Sequence, residues 1–348
     1  MNTSDLETVE VCNLCGSRNT RLDEIYRIKG VDFPMLECVS CGLAFVGARP
    51  PQDAMDDWYQ DFSHPDYAQS VIQRAATPVL RWLLGRARPL AGDDGLVKTA
   101  MAGVRMRTWR RLLSKYHAEW VERPCDCLDV GCGNGVWMAA QRRWGFRCEG
   151  VEPDKRAAAK ARALGFPVRA GDLLNAGYPE ARFDFVHFSH VLEHVRDPLG
   201  VLVEAARITR PGGRVVVVVP NHNGVPARAF RNVEDVPRHL YAFSAHVLGR
   251  YFARVGLTTE RLYTETPDPW SLYGPLYHAS ARLAKSDHAA TRAVKEFWQS
   301  PTRRQEFAKQ ADLADAIDAG AQVVAIGRKP APEKPPASTT ALIEVASS

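Results

Sequence analysis

The stretch "LDVGCGNG", residues 128–135, decides the fold of this chain. Its apolar start is typical of a buried strand, and three glycines at alternate positions, Gly131, Gly133 and Gly135, are typical of a loop that opens a helix. Such a loop lets the backbone approach a ligand closely, and the helix N-terminus that follows favours negative charge. The spacing G-x-G-x-G differs from the G-x-G-x-x-G fingerprint of dinucleotide-binding folds, and Asp129 lies inside the motif. The stretch therefore predicts a strand–loop–helix unit with a different kind of ligand site.

Strand-like and helix-like segments alternate after this loop. The strand-like segments are "RCEGVEP" (147–153), "PVRAGD" (167–172), "FDFVHFS" (183–189), "RVVVVVP" (214–220), "GLTTERLYTE" (256–265) and "AQVVAIGRK" (321–329). The helix-like segments are "GVWMAAQRRWG" (135–145), "DKRAAAKARALG" (154–165) and "PLGVLVEAARITRPGG" (198–213), the last of which is predicted to end in a Pro-Gly-Gly turn. This alternation is typical of an α/β protein with helices on both faces of a mostly parallel sheet. We therefore predict a doubly wound, Rossmann-like sheet.

Acidic residues stand at the ends of the first three predicted strands. Asp129 precedes the glycine loop, Glu152 ends the second strand and Asp172 ends the third. In open α/β sheets, ligands bind at the carboxyl ends of the strands, and a carboxylate after the second strand faces the hydroxyls of a nucleoside ribose. The three acids therefore predict a nucleoside-containing ligand, with Asp172 placed to reach an adenine amino group.

Two C-x-x-C pairs lie near the N-terminus. Cys12 and Cys15 form the first pair, Cys38 and Cys41 form the second, and a glycine follows each pair. Four thiolates at this spacing across a hairpin match the tetrahedral coordination of structural zinc, and all four ligands would come from the protein. Because a module this small has little core, the metal would supply most of its folding free energy. We therefore predict a structural zinc ion with no catalytic role.

The chain divides into four predicted parts. They are a zinc ribbon at 1–50, a basic helical linker or cap at 51–122, the α/β domain at 123–329 with a helical insertion at 266–320, and a disordered tail at 330–348. The stretch from residue 74 to residue 115 carries ten Lys and Arg but only two acidic residues, whereas the whole chain has a net charge of only +5. A solvated basic face on a covering helix explains this run, and a site for phosphate, nucleic acid or anionic lipid is the alternative.

Signals for secretion or membrane insertion are weak in this sequence. The N-terminal residues "MNTSDLETVE" are acidic and lack an apolar core, and the longest aliphatic run, Val215–Val219, is far shorter than a membrane span. We therefore expect a cytoplasmic protein without a transmembrane segment, and weak contact with a membrane surface stays open. In that compartment the eight cysteines are expected to be metal ligands or buried thiols rather than disulfides.

An ordered set of motifs resembles the class I S-adenosylmethionine-dependent methyltransferases. The set consists of "LDVGCGNG", "GVEP", "AGDLL", "FDFVHFSHVLEHVRDP" and "RPGGRVVVVVPN", and it covers about residues 124–265. The four-cysteine module, followed by "GLAFVGARP" and the pair Trp58 and Tyr59, resembles a subgroup of bacterial methyltransferases. This subgroup includes C-methyltransferases that act on nucleotide-linked deoxysugars. Zinc-ribbon methyltransferases that act on ribosomal RNA guanine are a more distant resemblance.

The resemblance implies S-adenosylmethionine as the cofactor and assigns its contacts. The expected cofactor-binding residues are Asp129, Gly131, Gly133, Asn134, Gly135, Glu152, Pro153, Asp172, Leu173, His190, Val191 and Leu192. Asp129 and the glycine loop would contact the methionine part, and Glu152 would bind the ribose hydroxyls. Asp172 and Leu173 would contact adenine, and His190 would lie beside the sulfonium with the next two residues near it.

Residues 190–194, "HVLEH", also match the H-x-x-E-H signature of zinc peptidases. That chemistry needs His190 and His194 on one face of a helix. Here the preceding segment is strand-like and Pro198 follows soon after. The resemblance therefore favours a strand-to-helix corner above the cofactor, with Glu193 and His194 as residues of the helix start.

A hydroxyl or carbon acceptor would need a base for methyl transfer. His222 and His239 are the candidates after the fifth strand, with Tyr241 in support, and the resemblance to sugar C-methyltransferases favours His239. The leading hypothesis is methyl transfer to a small, anionic, phosphate-bearing metabolite such as a nucleotide-linked or lipid-linked sugar. The alternatives are a zinc-ribbon methyltransferase acting on RNA and a non-catalytic binding protein on the same fold. The low net charge disfavours nucleic acid, and the intact glycine loop and acid series disfavour a non-catalytic role.

Overall fold

A computed structural model describes most of the predicted α/β domain and the N-terminal module. The described residues are 5–55, 125–142, 145–224, 227, 235–266, 309–310 and 312–331. The predicted basic cap beyond residue 55, most of the predicted insertion and nearly all of the predicted tail lie outside the described residues.

Within the described residues, a seven-stranded sheet forms the centre of the molecule. Its strands are β6 (Asp126–Val130), β7 (Arg147–Glu152), β8 (Val168–Ala170), β9 (Phe183–Ser189), β10 (Thr209–Pro220), β12 (Thr258–Glu265) and β13 (Gln322–Arg328), in the order β12-β13-β10-β9-β6-β7-β8. The strands from β6 to β10 pair in parallel, and β13 is antiparallel to both of its neighbours. The predicted doubly wound, Rossmann-like sheet is therefore confirmed. The strand order reverses at β6, and that edge is where such sheets bind ligands.

Helices flank this sheet in the described part of the chain, and the bounds of four of them are defined. They are α1 (Val136–Arg142), α2 (Lys155–Ala163), α3 (Pro198–Ile208) and α4 (Ala245–Arg254). Asp154 caps α2, Asp197 caps α3 and Ser244 caps α4, and each side chain accepts a hydrogen bond from a backbone N–H group of the first turn. These caps fix where each helix begins.

The core lies on both faces of the sheet. In β10 the five consecutive valines, Val215–Val219, are all at most 2% exposed. Alternate valines belong to different clusters, since Val215, Val217 and Val219 pack on one face and Val216 and Val218 on the other. A continuous apolar run of this kind is typical of a central strand that is covered on both sides.

The start of β10 differs from the sequence prediction. The predicted Pro-Gly-Gly turn at 211–213 lies inside this strand, where the register shifts between Thr209 and Arg214. The predicted helix that ends in a Pro-Gly-Gly turn is therefore wrong in its end, because the helix stops at Ile208 and residues 209–213 form an irregular start of the strand. Gly213 is required there because a Cβ atom would lie 2.8 Å from the backbone oxygen of Asp184.

The N-terminal module is an antiparallel sheet that shares a strand with the rest of the chain. It contains β2 (Thr20–Ile28), β3 (Val31–Cys38) and β4 (Ala44–Val46), while β1 (Glu7–Thr8) pairs with β5 (Ala48–Arg49) beside it. The β2–β3 turn has positive φ at Lys29 and Gly30, the conformation of a two-residue hairpin turn. The fourth strand of the sheet is β11 (Tyr241–Ala242), which pairs with β4. The predicted boundary at residue 50 is therefore crossed by strand pairing.

Candidate active site

The glycine loop after β6 holds two packing positions and one open position. All three glycines have positive φ, between 53° and 81°. A Cβ atom at Gly131 would lie 2.4 Å from Val191 Cγ2, and one at Gly135 would lie 3.0 Å from Ala161 Cβ. A Cβ atom at Gly133 would meet nothing within 4 Å. Gly133 is therefore the position at which a ligand can reach the backbone.

Glu152 lies at the end of β7 and contacts the same loop. One carboxylate oxygen accepts a hydrogen bond from Gly133 N and the other from Asp154 N, each at 2.8 Å. Burial raises the pKa of Glu152, and the two backbone N–H groups act in the opposite direction. Each carboxylate oxygen has a second lone pair, so Glu152 can still accept hydroxyl protons from a ribose. Pro153 beside it is exposed.

Asp129 makes an internal contact that the sequence does not reveal. It is 4% exposed, and one of its carboxylate oxygens lies 2.9 Å from His187 Nδ1 on β9. The imidazole of His187 stacks on Trp137 of α1, with ring centroids 4.1 Å apart. Burial raises the pKa of Asp129, and His187 opposes this effect. Asp129 therefore connects the start of the loop to β9 directly and to α1 through His187. Its predicted contact with the cofactor stays a prediction.

The third acid stabilises a short turn at the end of β8. Asp172 is exposed and accepts hydrogen bonds from the backbone and side-chain nitrogens of Asn175, at 3.0 and 2.9 Å. Leu173 is 2% exposed and packs in the core. Because the strand ends of β6, β7 and β8 are neighbours, the structure brings Asp172 and Leu173 to the same edge as Glu152.

The "HVLEH" segment forms a turn above this edge. His190 has φ 55°, which turns the chain out of β9, and its side chain is 48% exposed. His194 N donates to Val191 O, and the next helix begins only at Pro198. The peptidase helix is therefore absent from 190–194, and the expectation that Glu193 and His194 start a helix is wrong because Asp197 caps it. Within this turn Leu192 is fully buried.

Glu193 is buried and His194 is half-buried beside it. Burial alone would raise the pKa of Glu193, but His190, His194 and His239 outweigh it and lower the pKa to about 2. Burial also lowers the pKa of His194 to about 4. At neutral pH this places an anionic carboxylate beside a neutral imidazole.

The three candidate catalytic residues contact different partners. His239 lies against His194, with ring centroids 4.6 Å apart. His222 Nε2 is 3.8 Å from an oxygen of Asp23 in the N-terminal module. Tyr241 is 4% exposed and its hydroxyl donates to the backbone oxygen of Arg196, at 2.9 Å. His239 is the one of the three whose side chain packs against a side chain of the "HVLEH" turn. A catalytic role for any of them stays a prediction.

The four N-terminal cysteines converge in one cluster. Their sulfur atoms all lie within 4.8 Å of one another, with 3.4 Å between Cys12 and Cys41 and 3.6 Å between Cys15 and Cys38. Gly16 and Gly42 have positive φ, and their N–H groups donate to Cys12 O and Cys38 O, which closes two identical knuckles. These sulfur separations are close to the edge of about 3.8 Å that a tetrahedron with Zn–S bonds of about 2.3 Å would have.

Asn13 connects the cysteine cluster to the α/β domain. Its side chain donates to Asp197 and accepts from Leu199 N at the start of α3, at 2.8 and 3.0 Å. It also accepts a hydrogen bond from the Tyr251 hydroxyl of α4, at 2.9 Å. Three of the four cysteines and residues of both helices belong to one buried cluster. The first knuckle is therefore fixed directly to the helix that follows the "HVLEH" turn.

Comparisons with known proteins agree with this geometry. Residues 101–262, a little under half of the chain, match the family described as methyltransferase domain. A ubiquinone biosynthesis O-methyltransferase of Thiobacillus denitrificans is 28% identical over an alignment of 159 residues that covers 41% of this chain and 68% of that protein. Norajmaline N-methyltransferase of Rauvolfia serpentina is 30% identical over 117 residues, 31% of this chain and 40% of that protein. The chain thus spans less than half of the length of that enzyme.

A solved structure of a SAM-dependent methyltransferase from Thermotoga maritima is 21% identical, with a TM-score of 0.43, and the match covers 64% of this chain and 92% of that one. The strand order, the glycine loop and the matched segment define the class: this chain has the Rossmann-like fold of methyltransferases. None of the described helices has the length and apolar character that a membrane crossing requires.

Proposed function

We propose that this protein is an S-adenosylmethionine-dependent methyltransferase that acts on a small acceptor. One observation carries the proposal. Gly133, which has open space where a Cβ atom would be, donates its backbone N–H to the carboxylate of Glu152, at 2.8 Å. Both residues lie at the edge where the strand order reverses, within the segment that matches a methyltransferase domain. This edge is the ligand edge of a doubly wound sheet.

The residues present fit the cofactor. Glu152 would accept the ribose hydroxyl protons, the open position at Gly133 would admit the methionine part, and Asp172 and Leu173 would hold the adenine. His190 is half exposed at the end of β9 and would form the wall beside the sulfonium. When bound, the cofactor supplies an electrophilic methyl group for in-line displacement. The task of the chain is then to align the acceptor and exclude water.

His239 is the best candidate for the base that takes the acceptor proton. It is mostly buried beside His194, and its Nδ1 atom has no hydrogen-bond partner among the described residues. A base must lie within hydrogen-bond reach of the proton it removes, and an unpaired ring nitrogen at this turn meets the first requirement. The Tyr241 hydroxyl already donates to the Arg196 backbone, and His222 lies beside Asp23 of the N-terminal module instead of the turn, which supports His239 over them.

The acceptor that we propose is an anionic metabolite with a phosphate, such as a nucleotide-linked or lipid-linked sugar. The excess of Lys and Arg between residues 74 and 115 supports an anionic acceptor. The relatives differ in the atom they methylate, since their names include N- and O-methyltransferases. The proposal therefore specifies the class of acceptor and leaves the methylated atom to experiment.

We also propose that the cysteine cluster holds structural zinc. The support is the tetrahedron-like spacing of the four sulfur atoms and the two glycine knuckles. Burial raises the pKa of Cys12 to about 11, so zinc must displace protons from the cluster.

Calorimetry with S-adenosylmethionine tests the function, and Glu152→Ala is the decisive variant. Losing hydrogen bonds to a charged group, each worth about 1.5–3 kcal/mol, should weaken binding at least tenfold. Glu260→Ala is the matched control, because Glu260 pairs with Arg214 on the surface of β10 and β12. Absence of cofactor binding by the wild type, or equal affinity of the two variants, would overturn the proposal.

The acceptor is identified by incubating the protein with methyl-labelled cofactor and a cell extract. Label in a small anionic product supports the proposed substrate class. Label in nuclease-sensitive material, together with RNA affinity that falls steeply with salt, would replace it with an RNA substrate.

A further inference from the structure

Three side chains with metal-binding atoms, none of them a cysteine, converge beside the "HVLEH" turn. Glu193 and His194 belong to the turn, and His239 comes from the segment before β11. One ligand atom of each residue lies within 4.8 Å of the other two. We propose that Glu193, His194 and His239 bind a divalent transition-metal ion, which is a second metal besides the one expected at the four cysteines.

The first support is a set of buried polar atoms without hydrogen bonds. Glu193 is 1% exposed, and neither of its carboxylate oxygens accepts a hydrogen bond in the described part of the chain. One of these oxygens lies 3.4 Å from His190 Nδ1. Nδ1 of His239 is also buried without a hydrogen-bond partner. Buried charges are normally paired or coordinated to metals, and a cation between these atoms would meet that requirement.

The second support is the orientation of the His194 imidazole by an outer contact. Nδ1 of His194 lies 3.1 Å from the backbone oxygen of Arg238, so this nitrogen carries the proton and the lone pair is on Nε2. Metal-ligating histidines almost always have their other ring nitrogen held by a carbonyl or a carboxylate, and His194 shows this arrangement. Nε2 of His239 is 4.0 Å from a carboxylate oxygen of Asp235, which is beyond hydrogen-bond distance.

The third support is the rigidity of the two segments that supply the ligands. Leu240 N and Tyr241 N both donate to Glu193 O, at 2.8 and 3.3 Å. The residues that follow His239 are therefore bound to the backbone of the first ligand. The three donor groups are held in place before any metal arrives.

The donor set indicates the class of metal. Two imidazoles and one carboxylate suit zinc or another first-row transition metal, whereas magnesium and calcium prefer oxygen ligands. Three protein ligands leave a fourth position open, as in catalytic rather than structural zinc sites. If the proposed function holds, an acceptor oxygen would occupy that position. The metal would then replace His239 in activating the acceptor, because the Nδ1 lone pair of His239 cannot both bind a metal and take a proton. Metal binding itself does not depend on methyl transfer and can succeed or fail separately.

Metal stoichiometry of the full-length protein tests the proposal. Protein stripped with a chelator is reloaded with zinc, desalted and analysed by mass spectrometry for bound metal. We expect two equivalents in the wild type and one in Glu193→Gln or His239→Ala. His246→Ala is the matched control, because His246 is exposed on α4 and should leave two equivalents.

Cobalt substitution distinguishes the two sites within one sample. The cysteine site should give intense thiolate-to-cobalt absorption, whereas the second equivalent should add only weak ligand-field bands. Those weak bands should be absent in Glu193→Gln while the thiolate band persists, which also shows that the variant is folded. A wild type that binds only the thiolate-linked equivalent would overturn the proposal. Retention of the second equivalent in both variants would overturn it as well.

Discussion

Gly131→Ala should mainly lower the stability of the fold, whereas Gly133→Ala should mainly weaken cofactor binding, although only one residue separates the two positions. Both glycines have positive φ, so each alanine incurs a left-handed backbone cost of about 1–2 kcal/mol. At Gly131 the new methyl would also lie 2.4 Å from Val191 Cγ2, and overpacking of this kind costs about 1–3 kcal/mol more. At Gly133 the methyl meets nothing within 4 Å and instead fills the space proposed for the cofactor.

Two assays separate these effects. Urea unfolding without ligand should show Gly131→Ala less stable than Gly133→Ala by the clash of about 1–3 kcal/mol. Calorimetry should show the larger loss of S-adenosylmethionine affinity, about tenfold or 1.4 kcal/mol, in Gly133→Ala. Both variants carry the same chemical change, so each is the control for the other.

A double-mutant cycle with Val191→Ala identifies the cause. Removing the valine methyl groups should relieve the clash in Gly131→Ala and give a coupling free energy of about 1–3 kcal/mol. The same cycle with Gly133→Ala should be additive to within about 0.5 kcal/mol. Equal unfolding free energies of the two alanine variants, or coupling of Val191 to Gly133, would refute this explanation of the loop.

Burial raises the pKa of Glu152, so cofactor affinity should fall as pH falls through that pKa and the carboxylate becomes protonated. Over the same range the free energy of unfolding without ligand should rise, because the folded state binds the proton more tightly than the unfolded state. Calorimetry across pH measures the affinity, and Glu152→Ala should remove its pH dependence. Cys38→Ser should release zinc and destabilise the N-terminal module, and full zinc stoichiometry would count against the ribbon. Asn13→Ala removes three hydrogen bonds and leaves the buried Tyr251 hydroxyl without its acceptor. Its free energy of unfolding should therefore be about 2–4 kcal/mol lower than that of the control Asn19→Ala, in which the changed side chain is exposed. Equal urea midpoints of the two variants would contradict this.

The strands and helices were predictable because their signals are local. The valine run of β10 and the alternation of strands with capped helices depend on residues within a few positions of one another. The contacts between Asp129 and His187 and between His187 and Trp137 were not predictable, since they require the register of two parallel strands and the position of a helix above them. A histidine inside the apolar strand "FDFVHFS" was the one available signal.

The partners of the "HVLEH" residues were also not predictable from local sequence. Local spacing suggests His190 and His194 as a ligand pair, but the positive φ at His190 and the turn through His194 send the two side chains to different partners. Glu193 and His194 instead meet His239, which lies 45 positions after His194 in the sequence. Only the return of the chain through β11 brings that residue within reach.

The pairing of β4 with β11 has a consequence for biosynthesis. Phe45 and Tyr241 are register partners, so most of the chain separates the two strands of one sheet. A ribosome must therefore complete residue 242 before the N-terminal module can gain its last strand. Until then β4 presents an unpaired edge, which is a template for pairing with another chain. The nascent chain is consequently most vulnerable to aggregation while the central sheet is still being translated, and a chaperone or early metal capture by the cysteines would act in that interval.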